Sequence, residues 1–238
     1  MKTTSVTHWI GVVFILASAA LLLVTTLSAP VNADIGILRV ILTNKTDIRH
    51  SSVSFGTFGY CVLDVPPIET DHDWCGAKTI GYDPAQIMAE IDHQPTSSVA
   101  HATAAGLTRA MILHPIACGL AFLAFFLSLG AGVIGSLTGA LVAFVAWVLT
   151  LAVMAIDFSL FGVIKNHINA DGSGSVASYG IAMWTVLAAT VLLFFGMLIV
   201  FFTCCSARRD KNTDTKERVY ADGVADGGAE RRRRFGNH

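Results

Sequence analysis

The sequence predicts an all-α membrane protein, in which a four-helix transmembrane bundle carries a small, strand-containing extracellular cap. Three observations support this fold class. Of the 238 residues, 53% are hydrophobic and only 14% are charged, whereas about a quarter of the residues in soluble domains are charged. Four uncharged stretches approach or exceed the length of a transmembrane helix, which needs about 20 residues. The longest polar segment between them contains two cysteines and strand-like alternation.

The four spans are predicted at residues 9–29, 107–130, 132–164 and 179–203. A glycine-bearing turn is all that separates the second span from the third, which predicts an antiparallel hairpin. The remaining segments are an N-terminus, a long loop, a short loop and a tail: residues 1–8, 30–106, 165–178 and 204–238.

Basic residues predict the orientation of the spans. Several arginines and lysines follow the last span closely, while the second loop contains only Lys165. The positive-inside rule therefore places both termini in the cytoplasm and both loops outside. One alternative concerns Val31 to Ala33, which resembles a signal-peptidase site. The apolar stretch before it is longer than the usual signal-peptide core of about 7 to 15 residues, so an uncleaved anchor is favoured.

Cys61 and Cys75 lie in the outward loop, where paired cysteines normally persist as disulfides. The alternative, a zinc site, would need four ligands, and only His72 with flanking aspartates is available nearby. The sequence therefore favours a disulfide that staples the cap.

The remainder of the long loop shows alternation and turn residues. Ile35 to Thr43 is a strand candidate, and a second strand around Val53 to Val62 changes phase at Gly56, which indicates a bulge. Asn44 begins a glycosylation acceptor triplet. Asp83 to Ile91 is typical of a short helix.

Small residues form a stripe on the third span: Gly135, Gly139 and Ala143. Such stripes allow close helix packing, either within the bundle or against a partner helix. Pro115 should kink the second span.

Three residues are candidates for a response to pH. His114 and Asp157 are predicted near the outer ends of the second and third spans, where a contact between them is a functional hypothesis and a structural hydrogen bond is the alternative. His72 lies among carboxylates, which favour a protonated imidazole. An ordinary exposed histidine is the competing interpretation.

Cys204 and Cys205 directly follow the last span and precede arginines, a setting typical of palmitoylation. The tail beyond them is rich in charge, glycine and alanine, which predicts disorder. Its basic residues suit contact with the anionic lipid bilayer, while a trafficking signal or a solvated run of charge is the alternative for Arg231 to Arg234.

Several separated motifs resemble the fungal PalI family: "FGTFGYC", "LTRAMILHPIACGLAF", "IDFSLFGVIKNHIN" and "YGIAMWTVLAA". The resemblance implies a plasma-membrane tetraspan protein of the ambient (alkaline) pH response, which assists a separate seven-span pH sensor. The Gly-aromatic-Cys…Cys pattern is more distantly similar to eisosome-associated tetraspans and claudins. That similarity implies a claudin-like fold and, as the alternative function, an organiser of plasma-membrane domains.

No nucleophile with a base, no metal-ligand cluster and no phosphate-binding loop is recognisable, so the sequence predicts a protein that is not an enzyme and needs no cofactor. The predicted partners are the sensor and the lipid bilayer, with no nucleic acid. Assembly with a second copy of the chain is left open.

Overall fold

The computed structural model describes residues 2–42, 51–64, 74–92, 105–130, 133–170, 174–206 and 209. Four of the helices in these ranges are long and apolar enough to cross a membrane. With a short fifth helix, they are α1 (Lys2–Thr26), α2 (Pro84–Asp92), α3 (Ala105–Leu129), α4 (Val133–Ala170) and α5 (Ile181–Ser206). Four apolar helices, a small antiparallel sheet and the Cys61–Cys75 disulfide confirm the predicted fold class.

Alanines line the interior of the bundle. They are fully or almost fully buried on all four long helices: Ala19, Ala117, Ala121, Ala124, Ala140, Ala143, Ala146 and Ala189. Because lipid removes most of the hydrophobic driving force between helices, close backbone approach at small residues supplies the packing energy instead. Larger residues on the outward faces remain exposed, as Leu141 and Phe126 do.

The two central helices depart from simple spans. In α3, a 3₁₀ turn at Ala110–Ile112 precedes the α-helical part, which begins at Leu113. Helix α4 has 38 residues, so at about 1.5 Å per residue it is about 57 Å long. It extends six residues beyond the predicted end of the third span, and its last turns pack into the cap rather than ending below it.

The cap contains one five-stranded antiparallel sheet of order β4-β3-β2-β1-β5. Its strands are β1 (Leu38–Ile41), β2 (Ser51–Phe55), β3 (Tyr60–Asp64), β4 (Trp74–Cys75) and β5 (Val176–Tyr179). Strand β1 lies within the segment predicted from Ile35 to Thr43. Helix α2 confirms the predicted short helix, and the Asp83 carboxylate caps it by accepting hydrogen bonds from the backbone N–H groups of Ala85 and Gln86.

The predicted bulge at Gly56 is wrong. Residues 56–59 form the turn of a hairpin between β2 and β3, in which Phe55 pairs with Tyr60 and Val53 pairs with Val62. The change of phase that suggested a bulge is therefore the passage from one strand to the next. Strand β5 was not predicted, and it places the second loop at the edge of the same sheet, beside β1.

The hydrophobic core is continuous from the sheet into the upper part of the bundle. Residues of the sheet, of α2 and of the sheet-side ends of α3, α4 and α5 form one buried cluster, which includes Ile37, Phe55, Met88, Met111, Phe161 and Met183. A second cluster fills the membrane-spanning part of the bundle. The cap is therefore packed on the helices as part of the same fold.

Candidate functional site

Buried polar side chains concentrate where the cap meets the bundle, together with the backbone of Gly56, and we call this region the junction: Thr25, Ser28, Gly56, Thr57, Tyr82, Thr108, His114 and Asp157. The hairpin turn contacts the end of α1 here. Thr57 Oγ1 donates to the carbonyl oxygen of Thr25 at 2.9 Å, and the Thr57 N–H donates to Ser28 Oγ at 2.9 Å. Both threonine bonds are buried, so they fix the turn on the first span.

Gly56 allows this turn to approach the first span closely. A Cβ atom at position 56 would overlap the backbone of Ala29, with the Ala29 carbonyl carbon only 2.8 Å away. A backbone atom cannot move aside as the end of a flexible side chain can. The glycine of the "FGTFG" motif is therefore required by the contact between cap and helix.

Tyr82 connects the hairpin turn to the second span. Its hydroxyl donates to the carbonyl oxygen of Gly56 at 2.7 Å, and its ring stacks on Phe55. Thr108 Oγ1 in turn donates to the carbonyl oxygen of Tyr82 at 2.5 Å. Burial raises the pKa of Tyr82 above its ordinary value, and the negative charge of Asp157 raises this pKa further. The hydroxyl thus stays protonated and keeps its donor role well into the alkaline range.

The sequence His114-Pro115 determines how the histidine is held. Pro115 has no N–H to donate to the carbonyl oxygen of Met111, four residues earlier. That carbonyl oxygen accepts a hydrogen bond from His114 Nδ1 at 3.1 Å. A carbonyl oxygen can only accept, so Nδ1 carries a proton. The 3₁₀ turn ends directly before Leu113, so Pro115 lies in the first turn of the α-helical part of α3.

Asp157 on α4 lies opposite the other nitrogen of His114. The distance between His114 Nε2 and Asp157 Oδ2 is 3.1 Å, and both side chains are 0% exposed. This is the distance of an ion pair, and neither His114 Nε2 nor either Asp157 oxygen has a hydrogen-bond partner in the described part of the chain. The structure therefore brings together two of the three residues predicted as pH-responsive.

The disulfide closes the outer edge of the sheet. Cys61 and Cys75 are paired across β3 and β4. Next to them, Trp74 packs edge-on against Tyr60, with ring centroids 5.6 Å apart. Cys61 is buried and Trp74 is 56% exposed. The cystine thus anchors a two-residue strand whose side chains face outward.

The opposite end of the bundle has a second polar contact. His8 Nε2 lies 3.2 Å from the carbonyl oxygen of Ser128, and His8 Nδ1 lies 3.4 Å from Thr203 Oγ1. One histidine of α1 therefore contacts both α3 and α5. Gly139 of α4 packs against Ser128 as well, because a Cβ atom on it would lie 2.9 Å from the Ser128 nitrogen.

The other members of the small-residue stripe also face the interior. Gly135 lies near the backbone of Leu127 and Gly130, and Ala143 is fully buried in the core of the bundle. Gly139 and Ala143 thus use the stripe for packing within the chain.

The remaining predicted site residues are separate from the junction. Cys204 is buried and Cys205 is exposed at the end of α5. Asn44 and His72 lie outside the described residues. In the described ranges, no group of three or more His, Cys, Asp or Glu side chains is placed to hold a metal ion.

Sequence reasoning assigned no role to Tyr82, Thr108 or His8. Their partners are distant in the chain, with Gly56 26 residues from Tyr82 and Ser128 120 residues from His8. No local pattern encodes such contacts. The position of His8 directly before an apolar span does not indicate which residues it contacts.

The chain was compared with models of known protein families. The family model described as SUR7/PalI family matches residues 6–196, which is most of the chain. The matched range includes α1 from residue 6 onward, all of α3 and α4, the sheet, the junction and more than half of α5. No curated protein matches the chain.

Proposed function

From the premise that this chain belongs to the SUR7/PalI family, we propose that it is a non-catalytic accessory protein of the ambient alkaline-pH sensing pathway at the fungal plasma membrane. In this role it keeps a multi-span pH sensor at the cell surface or stabilises it there. The family match over residues 6–196 is the observation that carries the proposal. The chain is a multi-pass membrane protein, and its family is not a known enzyme family.

The architecture supports an interaction role. The helices use their alanine-lined faces to pack against one another, while buried hydrogen bonds at the junction attach the cap to the bundle and the disulfide links two of its strands. A cap that is already folded on the bundle presents its outer edge to a partner at a lower ordering cost than an unfolded loop would. We assign both termini to the cytoplasm and the cap to the outside, where a partner's outer loops can reach it.

The outer edge of the cap is the surface that we assign to the sensor. Trp74 is 56% exposed and Ile80 is 57% exposed, and both lie on the segment that runs along β3. Aromatic side chains such as that of Trp74 are enriched at protein interfaces, and the fully buried centre of an interface is more apolar than the rest of the surface. Their burial against a partner would remove apolar surface from water.

Deletion of the gene tests the pathway assignment. We expect the deletion strain to lose growth at alkaline pH and to lose the sensor from the cell surface, while plasma-membrane patches keep their normal appearance. Disturbed patches together with a normal alkaline response would reject the proposal in favour of the claudin-like organiser.

Complementation then tests the cap surface. We expect Ile80→Ser to reach the membrane at the wild-type level but to recover less of the sensor in co-purification. The matched control is Ile41→Ser, which also replaces an exposed isoleucine of the cap, on strand β1 away from this edge. Equal recovery of the sensor by both variants would remove the Ile80 edge from the proposed interface.

A further inference from the structure

The contact between His114 and Asp157 depends on which of their nitrogen and oxygen atoms carry a proton. His114 Nδ1 faces the carbonyl oxygen of Met111 at 3.1 Å and must carry a hydrogen there. In a neutral imidazole the other nitrogen, Nε2, is then a bare acceptor. It lies 3.1 Å from Asp157 Oδ2, which is also an acceptor when the carboxyl group is ionised.

Two bare acceptors at this distance repel each other, and no hydrogen-bond donor among the described residues relieves the repulsion. Both side chains are fully buried, and neither Asp157 oxygen has a hydrogen bond within the described part of the chain. An unpaired buried carboxylate is costly because it has lost its water. One proton between Nε2 and Oδ2 removes both problems, either as imidazolium with carboxylate or as imidazole with carboxylic acid.

We propose that His114 and Asp157 form a proton-binding site, in which one shared proton holds α3 against α4 and thereby keeps the cap seated on the bundle. The site binds a proton and no larger ligand. Release of the proton allows the two acceptors to move apart. Proton binding therefore couples the pH to the position of the cap.

Tyr82, Arg109 and Cys118 are the titratable or charged groups near the pair on the cap and on α3. From the cap, Tyr82 feels the charge of Asp157, and its raised pKa keeps it neutral. On α3 itself, Arg109 packs on Gly81 at the outer end, and Cys118 one turn below donates to the carbonyl oxygen of Ala19. Helices α1 and α5 contribute no titratable residue between positions 10 and 26 or between 181 and 203.

The path from the pair to the cap is short. Met111, which accepts the Nδ1 bond, is buried in the core shared with the sheet. One turn earlier, Thr108 donates to Tyr82, whose hydroxyl in turn holds the hairpin turn through Gly56. A movement of α3 away from α4 therefore disturbs the contacts that seat the cap. Rising pH removes the proton, so the seated cap is the state at lower pH.

Hydrogen exchange on the purified full-length protein in lipid nanodiscs tests the site. Exchange rates of junction peptides, divided by their intrinsic rates, are compared at about pH 5 and about pH 9, at or beyond the limits of the range in which an ordinary histidine changes its charge. We expect protection at the junction to fall at the higher pH, by up to about tenfold per pH unit, the slope for release of one proton.

Asp157→Asn is the deciding variant, because its amide can donate to His114 Nε2 without any bound proton. We expect its protection to be the same at both pH values. His167→Gln, which changes an exposed histidine on the same helix, should keep the wild-type response. Wild-type protection that does not change with pH, or an Asp157→Asn variant that keeps the wild-type dependence, would overturn the proposal.

A second measurement does not depend on the folding of a variant. In the wild-type protein labelled with ¹⁵N-histidine, we expect His114 Nδ1 to be protonated, with Nε2 either protonated or hydrogen-bonded to a protonated carboxyl group detected by infrared absorption. A bare Nε2 beside an ionised Asp157 near neutral pH refutes the site. The role of the proton-binding site in the alkaline response rests on the proposed function. These measurements are made without the sensor, so a negative result for the site would not reject the accessory function, and loss of the accessory function would not reject the site.

Discussion

The hydroxyl of Tyr82 donates a buried hydrogen bond of 2.7 Å to the carbonyl oxygen of Gly56. Tyr82→Phe removes the donor and leaves the carbonyl oxygen buried without this partner. We therefore expect the variant to lose about 1–3 kcal/mol of unfolding free energy, measured by chemical denaturation in detergent micelles at neutral pH. Tyr179→Phe is the control and should cost less, because within the described ranges the Tyr179 hydroxyl takes part in no such buried bond.

The same variant carries a prediction about pH. The pKa of Tyr82 is raised in the folded protein, first by burial and then by the charge of Asp157. The unfolded chain releases this proton at the ordinary tyrosine pKa of about 10, so the folded state binds more protons above that pH. The contribution of the Tyr82 hydroxyl to the free energy of unfolding is complete below about pH 10 and declines as the pH rises further.

Denaturation midpoints across this range separate the two variants. The difference in stability between wild type and Tyr82→Phe should narrow above about pH 10, because only the wild type has the Tyr82 contribution to lose. Tyr179→Phe should keep the wild-type dependence on pH. A gap between wild type and Tyr82→Phe that stays constant to higher pH would mean that the hydroxyl titrates normally in the folded state.

The disulfide between Cys61 and Cys75 closes a loop with a sequence separation of 14 residues. In the chain-entropy model a loop of this size contributes about 3 kcal/mol. We expect replacement of both cysteines by serine to lower the stability of the cap by about that amount and to expose β3 and β4 to protease, while the four helices remain in the membrane.

The control for this variant is Cys205→Ser, which changes an exposed cysteine at the other end of the bundle. Thiol alkylation without reduction should label neither Cys61 nor Cys75 in the wild type. Labelling of both before reduction would contradict the pairing.

Much of this architecture is predictable from the sequence, for reasons that particular residues make clear. The four long helices follow from uncharged stretches, and the disulfide follows from the outward position of Cys61 and Cys75. Strand β5 was missed because Val176–Tyr179 is only four residues long and pairs with β1 more than 130 residues earlier. The predicted bulge at Gly56 was wrong because a change of phase in the alternation is the same for a bulge within one strand and for a turn between two strands.

Some residues of the junction were also predictable from the sequence, and others were not. His114 and Asp157 were candidates because ionisable residues are rare in apolar spans, and the sequence placed both near the outer boundary. The 3.1 Å contact between Nε2 and Oδ2 depends on the packing of α3 against α4, which no local pattern specifies. Tyr82 had no signal of this kind, since a tyrosine in a polar loop is unremarkable until the hairpin turn lies beside it.

Cys204 and Cys205 differ in their access to an acylating enzyme. Cys204 is 5% exposed, while Cys205 is exposed at the end of α5. If the juxtamembrane pair is palmitoylated, acylation should take place at Cys205. In an acyl-exchange assay on protein from its native membrane, Cys205→Ser should abolish the signal and Cys204→Ser should leave most of it. The reverse pattern would show that the end of α5 opens before modification.

Gly139 offers a test of how the bundle is held together. A Cβ atom at this position would lie 2.9 Å from the backbone nitrogen of Ser128 and closer still to the Ser128 hydroxyl. Helices α3 and α4 would have to move apart, and overpacking of this kind typically costs about 1–3 kcal/mol. We expect Gly139→Ala to lower the denaturation midpoint in detergent and to weaken the contact of His8 with Ser128 at the same end of the bundle.

Gly119→Ala is the matched control for Gly139→Ala. It changes a glycine of the same kind on α3, but no atom lies within 4 Å of the added Cβ, apart from its chain neighbours and nearby helix backbone. Since alanine is favoured over glycine in a helix by about 1 kcal/mol, this variant should be neutral or slightly stabilised. Equal stability of the two variants would mean that the stripe does not hold α3 and α4 together. A Gly139→Ala variant that keeps wild-type stability but no longer recovers the sensor would instead make the stripe a docking face for a partner helix.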